Sequence, residues 1–141
     1  MSGNYAKRNG GGLYGVGTII NSIIWGNTSG TTVNENIAGT PSITYSNVQG
    51  SYAGTGNIDA NPWFVALQQA EIGSPTSAGV FLLCNGTDNP VGCTNVSPCI
   101  DSASATSTPG DDIEGDSRPY DVDSTGDGVD EYDMGADEYV Q

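Results

Sequence analysis

The sequence has no histidine, and Lys7, Arg8 and Arg118 are its only basic residues. Without histidine there is no Ser–His or Cys–His pair for nucleophilic catalysis, and the usual neutral-pH acid/base is missing. Without lysine and arginine the chain cannot neutralise a run of phosphates, which excludes nucleic acid as a partner. An anionic membrane surface is excluded by the same argument. No apolar run approaches the roughly 20 residues of a membrane span. The first twelve residues, MSGNYAKRNGGG, lack the apolar core of a signal peptide. They begin inside a repeating pattern, which reads as a piece of something longer.

Large hydrophobic residues are scarce as well. Leu, Ile, Val and Phe make up 26 of 141 residues, and charged residues only 14%. With a net charge of -14 this composition falls in the range usually read as disorder. Two features argue for a fold instead. The apolar residues are gathered into strand-like runs, and 13 of the 17 acidic residues lie from Asp101 onward, where a cation can neutralise them.

What is abundant is glycine, 21 residues, with serine, threonine and asparagine around it. Gly12–Tyr14 reads as a short strand after three consecutive glycines. TIINSIIWGN at 18–27 is rich in β-branched residues and ends on Gly-Asn, a strand stop. SITYSNVQG at 42–50 repeats it. At an offset of 24, Ile19 matches Ile43, Ser22 matches Ser46, Ile24 matches Val48 and Gly26 matches Gly50. GNIDANPWFV at 56–65 is a weaker third strand. A repeat of this length whose units cannot bury an apolar face alone is the signature of a stacked solenoid. Short strands with glycine and asparagine corners suit a parallel β-helix, and the scarcity of good helix formers disfavours a helical repeat. Adjacent strands of a sandwich are the alternative.

Beyond the repeats, 66–79 holds a helical turn and a Pro/Ser loop. VFLLC at 80–84 reads as a buried strand, and NVSPCIDSAS at 95–104 as a turn followed by a short helix or 3₁₀ segment. The expected organisation is β-helix rungs over 1–67 and a C-terminal cap over 68–141, packed as one domain. Cys84 and Cys93 flank NGTDNPVG, and either close a disulfide across it or stay, with Cys99, as buried thiols.

The densest chemistry lies in DVDSTGDGVDEYDMGADEY, residues 121–139. Carboxylates this crowded repel one another unless a hard cation takes six to eight oxygens at about 2.3–2.6 Å. Asp123, Thr125, Asp127 and Glu131 fall at relative positions 1, 3, 5 and 9, with Gly128 where such a loop turns. Asp121 and Asp130 supply further charge, and the Val129 carbonyl a backbone ligand. A structural Ca2+ is the expected cofactor. Asp111, Asp112, Glu114 and Asp116 form either a second site or a solvated acidic connector. Trp25, Tyr45, Tyr52 and Trp63 either build a sugar-stacking platform or pack as caps.

NSIIWGN, SITYSNVQG, GTGNIDANPWFV, SPCIDSAS and DMGADEYV, in that order, resemble the C-terminal end of bacterial right-handed parallel β-helix surface proteins. These are choice-of-anchor proteins, similar in fold to pectate-lyase-like solenoids. The resemblance covers about Gly10 to Tyr139. It implies an all-β, short right-handed parallel β-helix with an irregular calcium-stabilised cap, in a secreted or cell-surface protein. Asn85–Gly92 departs from that pattern as an insertion, and most upstream rungs are missing. The expected role is structural or adhesive rather than enzymatic. The expected partners are other copies of the chain, stacked into filaments, or the upstream rungs of a longer parent. A carbohydrate-binding or polysaccharide-active module is the alternative, with Trp25 and Trp63 as stacking residues.

Overall fold

Short strands of two or three residues, each ending at a sharp corner, carry the N-terminal half of the computed structural model. The structure describes residues 1–30, 36–64, 83–84, 95–106, 109–112, 115–119 and 131–136. Among these the fold is all-β, with no helix. The strands are β1 (Tyr5–Ala6), β2 (Leu13–Gly15), β3 (Thr18–Ile20), β4 (Ile23–Ile24), β5 (Thr28–Ser29), β6 (Ile37–Gly39), β7 (Ser42–Thr44) and β8 (Asn47–Val48).

The strands pair in parallel, β1 with β5, β2 with β6, β3 with β7 and β4 with β8, giving four two-stranded sheets. Leu13 lies beside Ile37, Ile19 beside Ile43 and Ile24 beside Val48. These pairs keep the 24-residue offset of the sequence repeat. On the first sheet Tyr5 pairs with Thr28, one residue shorter. The repeat therefore marks vertical neighbours, as a parallel arrangement requires and a hairpin does not.

The corners repeat with the strands. Asn21 and Tyr45 have φ of 52° and 47°, and Gly15 and Gly39 have φ of 134° and 111°. A left-handed corner at Asn21 divides TIINSIIWGN, read above as one strand, into β3 and β4. Asparagine tolerates that conformation, whereas tyrosine does so less readily. Tyr45 is held there by its N–H, which donates to the Thr55 carbonyl at 2.8 Å.

Ile24, Ile43 and Val48 are fully buried together, with Ile19, Ile37 and Tyr52 packed against them. Burying three such side chains stabilises the fold by about 1.5–3 kcal/mol each, which is modest. The remaining cohesion comes from hydrogen bonds between turns. Of the third strand expected at 56–65, the described residues show a parallel bridge between Asn47 and Ile58 and an antiparallel bridge at Phe64, and Val65 lies outside the described residues. The chain reaches Ile58 only 11 residues after Asn47, so this turn is cut short. Tyr52 and Asn57 fold across β7 instead, the tyrosine hydroxyl donating to the Pro41 carbonyl and Asn57 Nδ2 to the Ile43 carbonyl, both at 2.9 Å.

The chain forms two compact units, Met1–Ala60 and Asn61–Gln141. In the second unit Phe64 and Leu83 make an antiparallel bridge, and Leu83, Cys84, Cys99 and Met134 are buried. Residues 80–82 of the expected VFLLC strand and the Pro/Ser stretch at 66–79 lie outside the described residues. Within 95–104 the expected turn is present over 98–101, and no short helix or 3₁₀ segment follows it. The Ser97 hydroxyl fixes that turn, donating to the Pro62 carbonyl at 2.6 Å and accepting the Cys99 N–H at 3.2 Å.

Candidate functional site

Two places concentrate chemistry among the described residues: the polar ladders along the parallel strand pairs, and the residues that meet the acidic segment.

The ladders are built from side-chain oxygens that accept backbone N–H groups of the turn above. Asn27 is buried; its Oδ1 accepts the Asn4 N–H at 3.0 Å and Asn4 Nδ2 at 2.9 Å. Its Nδ2 donates to the Met1 carbonyl and to Asn36 Oδ1, both at 2.9 Å. Asn36 Nδ2 in turn donates to the carbonyls of Ile24 and Gln49. Ser46 is fully buried, and its Oγ accepts the Ser22 N–H at 3.0 Å. Asn57 Oδ1 accepts the Ser46 N–H at 3.1 Å. Sequence reasoning matched Ser22 with Ser46 but missed the asparagines. The available signal was the spacing of Asn4 and Asn27, which equals the offset of the first sheet.

A cleft of about 580 Å³ opens beside these ladders, lined by Asn27, Asn36, Gln49, Ser51, Ile37 and Tyr52 among others. Its amides are already engaged: Gln49 Oε1 accepts the Gly26 N–H at 2.7 Å, and Asn27 and Asn36 hold backbone as described. Of the proposed stacking aromatics, Tyr52 belongs to the core cluster and the Tyr45 ring packs over Gly56. Trp25 is half-buried in the first unit, and Trp63 is 41% exposed in the second.

At Met1 the ammonium donates to the Ile23 carbonyl, and the Met1 carbonyl accepts the Trp25 N–H. Burial lowers the pKa of this amine below its usual 8.0, because desolvation disfavours the charged form.

In the second unit, Arg118 is buried and its Nη2 donates to the Asp133 carbonyl at 2.7 Å. Its Nη1 reaches the Gly135 carbonyl at 3.4 Å. Asp133 is also buried, and its Oδ1 accepts the Asp101 N–H at 2.7 Å. Arg118, just ahead of the acidic segment, is therefore tied to Asp133 and Gly135 within it. Of the expected calcium ligands, Asp121, Asp123, Thr125, Asp127, Val129 and Asp130 lie outside the described residues. Glu131 is described and exposed.

The second acidic group has a local structural task. Asp111 and Ser117 form an antiparallel bridge, and Asp112 Oδ1 accepts the N–H groups of Gly115 and Asp116 at 2.8 and 2.9 Å. Asp112 thus closes a tight turn in the manner of an Asx motif. Asp111 is exposed, and Glu114 lies outside the described residues. Among the described residues no three carboxylates or thiols converge as a metal site. Cys84 is disulfide-bonded and Cys99 is a buried thiol. The expected partner, Cys93, lies outside the described residues. No helix among the described residues is long and apolar enough to cross a membrane.

Comparison with protein-family models, with curated proteins and with solved structures found no match.

Proposed function

We propose that the chain is a structural, non-enzymatic module: the end of a right-handed parallel β-helix whose turns serve as stacking units in a secreted or cell-surface protein. The observation that carries this reading is the parallel register of Leu13, Ile19 and Ile24 with Ile37, Ile43 and Val48, reinforced at each turn by side-chain acceptors. Among the described residues Asn27, Asn36, Ser46 and Asn57 are used to hold backbone, which supports a structural role. The module works by stacking on the rungs of a longer parent or on other copies, and an adhesive role follows from display at a surface. Its similarity to choice-of-anchor β-helix proteins rests on the five sequence motifs.

In this proposal the C-terminal acidic segment is a calcium clasp. Asp121, Asp123, Thr125, Asp127, Asp130, Glu131 and the Val129 carbonyl form a hard-oxygen donor set of the kind Ca2+ prefers. The bond from Arg118 to the Asp133 carbonyl supports it by tying the chain just ahead of the segment to a residue within it. The cation neutralises carboxylates that otherwise repel, and its role is structural.

A glycan-array screen with negative-stain microscopy tests the reading. The structural module gives no retention on polysaccharide. Specific retention that is lost in Trp25→Ala or Trp63→Ala replaces it with a carbohydrate-binding module.

A further inference from the structure

The first turn carries on its outer edge the same acceptors by which the second turn holds the first. Ser46 Oγ accepts the Ser22 N–H while its own hydroxyl proton goes to the Thr44 carbonyl at 2.9 Å. Ser22 is oriented identically, its hydroxyl donating to the Ile20 carbonyl at 3.0 Å. Asn27 Oδ1 accepts from Asn4, and Asn4 stands one turn above it. Among the described residues, no donor faces Ser22 Oγ or Asn4 Oδ1.

Backbone geometry repeats the point. A Cβ on Gly39 would collide with the Gly15 carbonyl oxygen, yet a Cβ on Gly15 would meet nothing within 4 Å. The carbonyls of Asn4, Ala6, Gly15, Gly17, Ser22 and Ile24 accept from the second turn. Strand alternation then turns the amides of Tyr5, Tyr14 and Ile20 toward the opposite edge. Tyr5 and Tyr14 are 68% and 76% exposed.

The edge is therefore complementary to one thing, a parallel polypeptide turn in the same register. Met1 shows how such a turn attaches. Its carbonyl accepts the Trp25 N–H at 3.1 Å and its nitrogen reaches the Ile23 carbonyl, and Ser2 pairs with Trp25, so a residue joined to that nitrogen stands beside Ile23 and the one before it beside Ser22. A second copy is a poorer fit, because the far edge of its second turn is taken up by Asn57 and Tyr52 bonded to Ile43 and Pro41.

We propose that the outer edge of β1, β2 and β3 docks one further parallel turn, joined in cis ahead of Met1. This rests on the stacked-turn reading proposed above.

The test appends a second copy of residues 1–23 ahead of Met1 of the full chain and reads amide hydrogen exchange by NMR. A scrambled extension of the same composition is the control. The native extension slows exchange at Tyr5, Tyr14 and Ile20 of the original copy by about tenfold or more, and the scrambled one does not. Ser22→Ala in the extended chain reduces that protection. Equal exchange with both extensions overturns the docking edge. So does a native extension that abolishes protection at Thr28, Ser42 and Gln49. Concentration-dependent protection of Tyr5 and Tyr14 in the 141-residue chain overturns it in favour of a second copy. Slow exchange at Thr28, Ser42 and Gln49 in the unextended chain keeps the stacked turns standing if the docking fails; fast exchange there removes both.

Discussion

At the residue scale, position within a turn decides what a side chain does. Gly15 and Gly39 are equivalent in sequence and in φ, but only Gly39 lies under another turn. Alanine at either position incurs the left-handed penalty, about 1–2 kcal/mol. Gly39→Ala adds a backbone collision, so its loss of stability in urea unfolding exceeds that of Gly15→Ala. Equal losses contradict the contact between turns. The Met1 amine provides a pH probe. Its folded-state pKa is below 8.0, so near neutrality the unfolded chain binds more protons at this group than the folded one. The resulting penalty is fully present below the folded pKa and vanishes above 8.0. Unfolding midpoints of the 141-residue chain therefore rise with pH approaching 8, and N-terminal acetylation removes that slope.

At the element scale, hydrogen bonds add to the small cluster of Ile24, Ile43 and Val48. Asn57 is the sharpest case, accepting from the Ser46 N–H and donating to the carbonyls of Ile43 and Tyr52. At about 1 kcal/mol net for each bond, Asn57→Ala costs about 3 kcal/mol in chemical unfolding. A loss below about 0.5 kcal/mol removes Asn57 from the role of closing the short turn. This level also shows how far the sequence could be read. The pairing of Ile19 with Ile43 and Ile24 with Val48 was legible, because inward β-branched residues repeat at one spacing. The division of 18–27 at Asn21 was not, because a left-handed asparagine inside a β-branched run leaves no periodic trace. Nor were β1, β5 and β6, whose strands of two or three residues are too short for alternation to show. Isolated asparagines read as turn residues, so the ladder through Asn4, Asn27 and Asn36 stayed hidden although its spacing was present.

For the whole molecule, charge is the issue that the first unit does not settle. In the first unit Glu35 and Asp59 balance Lys7 and Arg8, so the second unit, which holds the 13 acidic residues from Asp101 onward, bears the whole net charge of -14. The carboxylates of Asp112 and Asp133 accept backbone N–H groups, a use the sequence did not reveal because the donors come from folded neighbours. The calcium clasp predicts that melting rises with Ca2+ and falls with excess chelator, a ligand at 100 times its Kd adding about 2.7 kcal/mol. Asp127→Ala reproduces the chelator effect. An unchanged midpoint removes the clasp and leaves the stacked turns intact.

The stacked turns themselves are the premise on which the structural role depends. Their register is read directly by inter-strand nuclear Overhauser contacts in the labelled full-length chain. Parallel turns place backbone protons of Ile19 against Ile43 and its neighbours, and those of Ile24 against Val48 and its neighbours. Those cross-peaks are the predicted result. Their absence, with antiparallel contacts between 18–27 and 42–50 instead, would contradict the account.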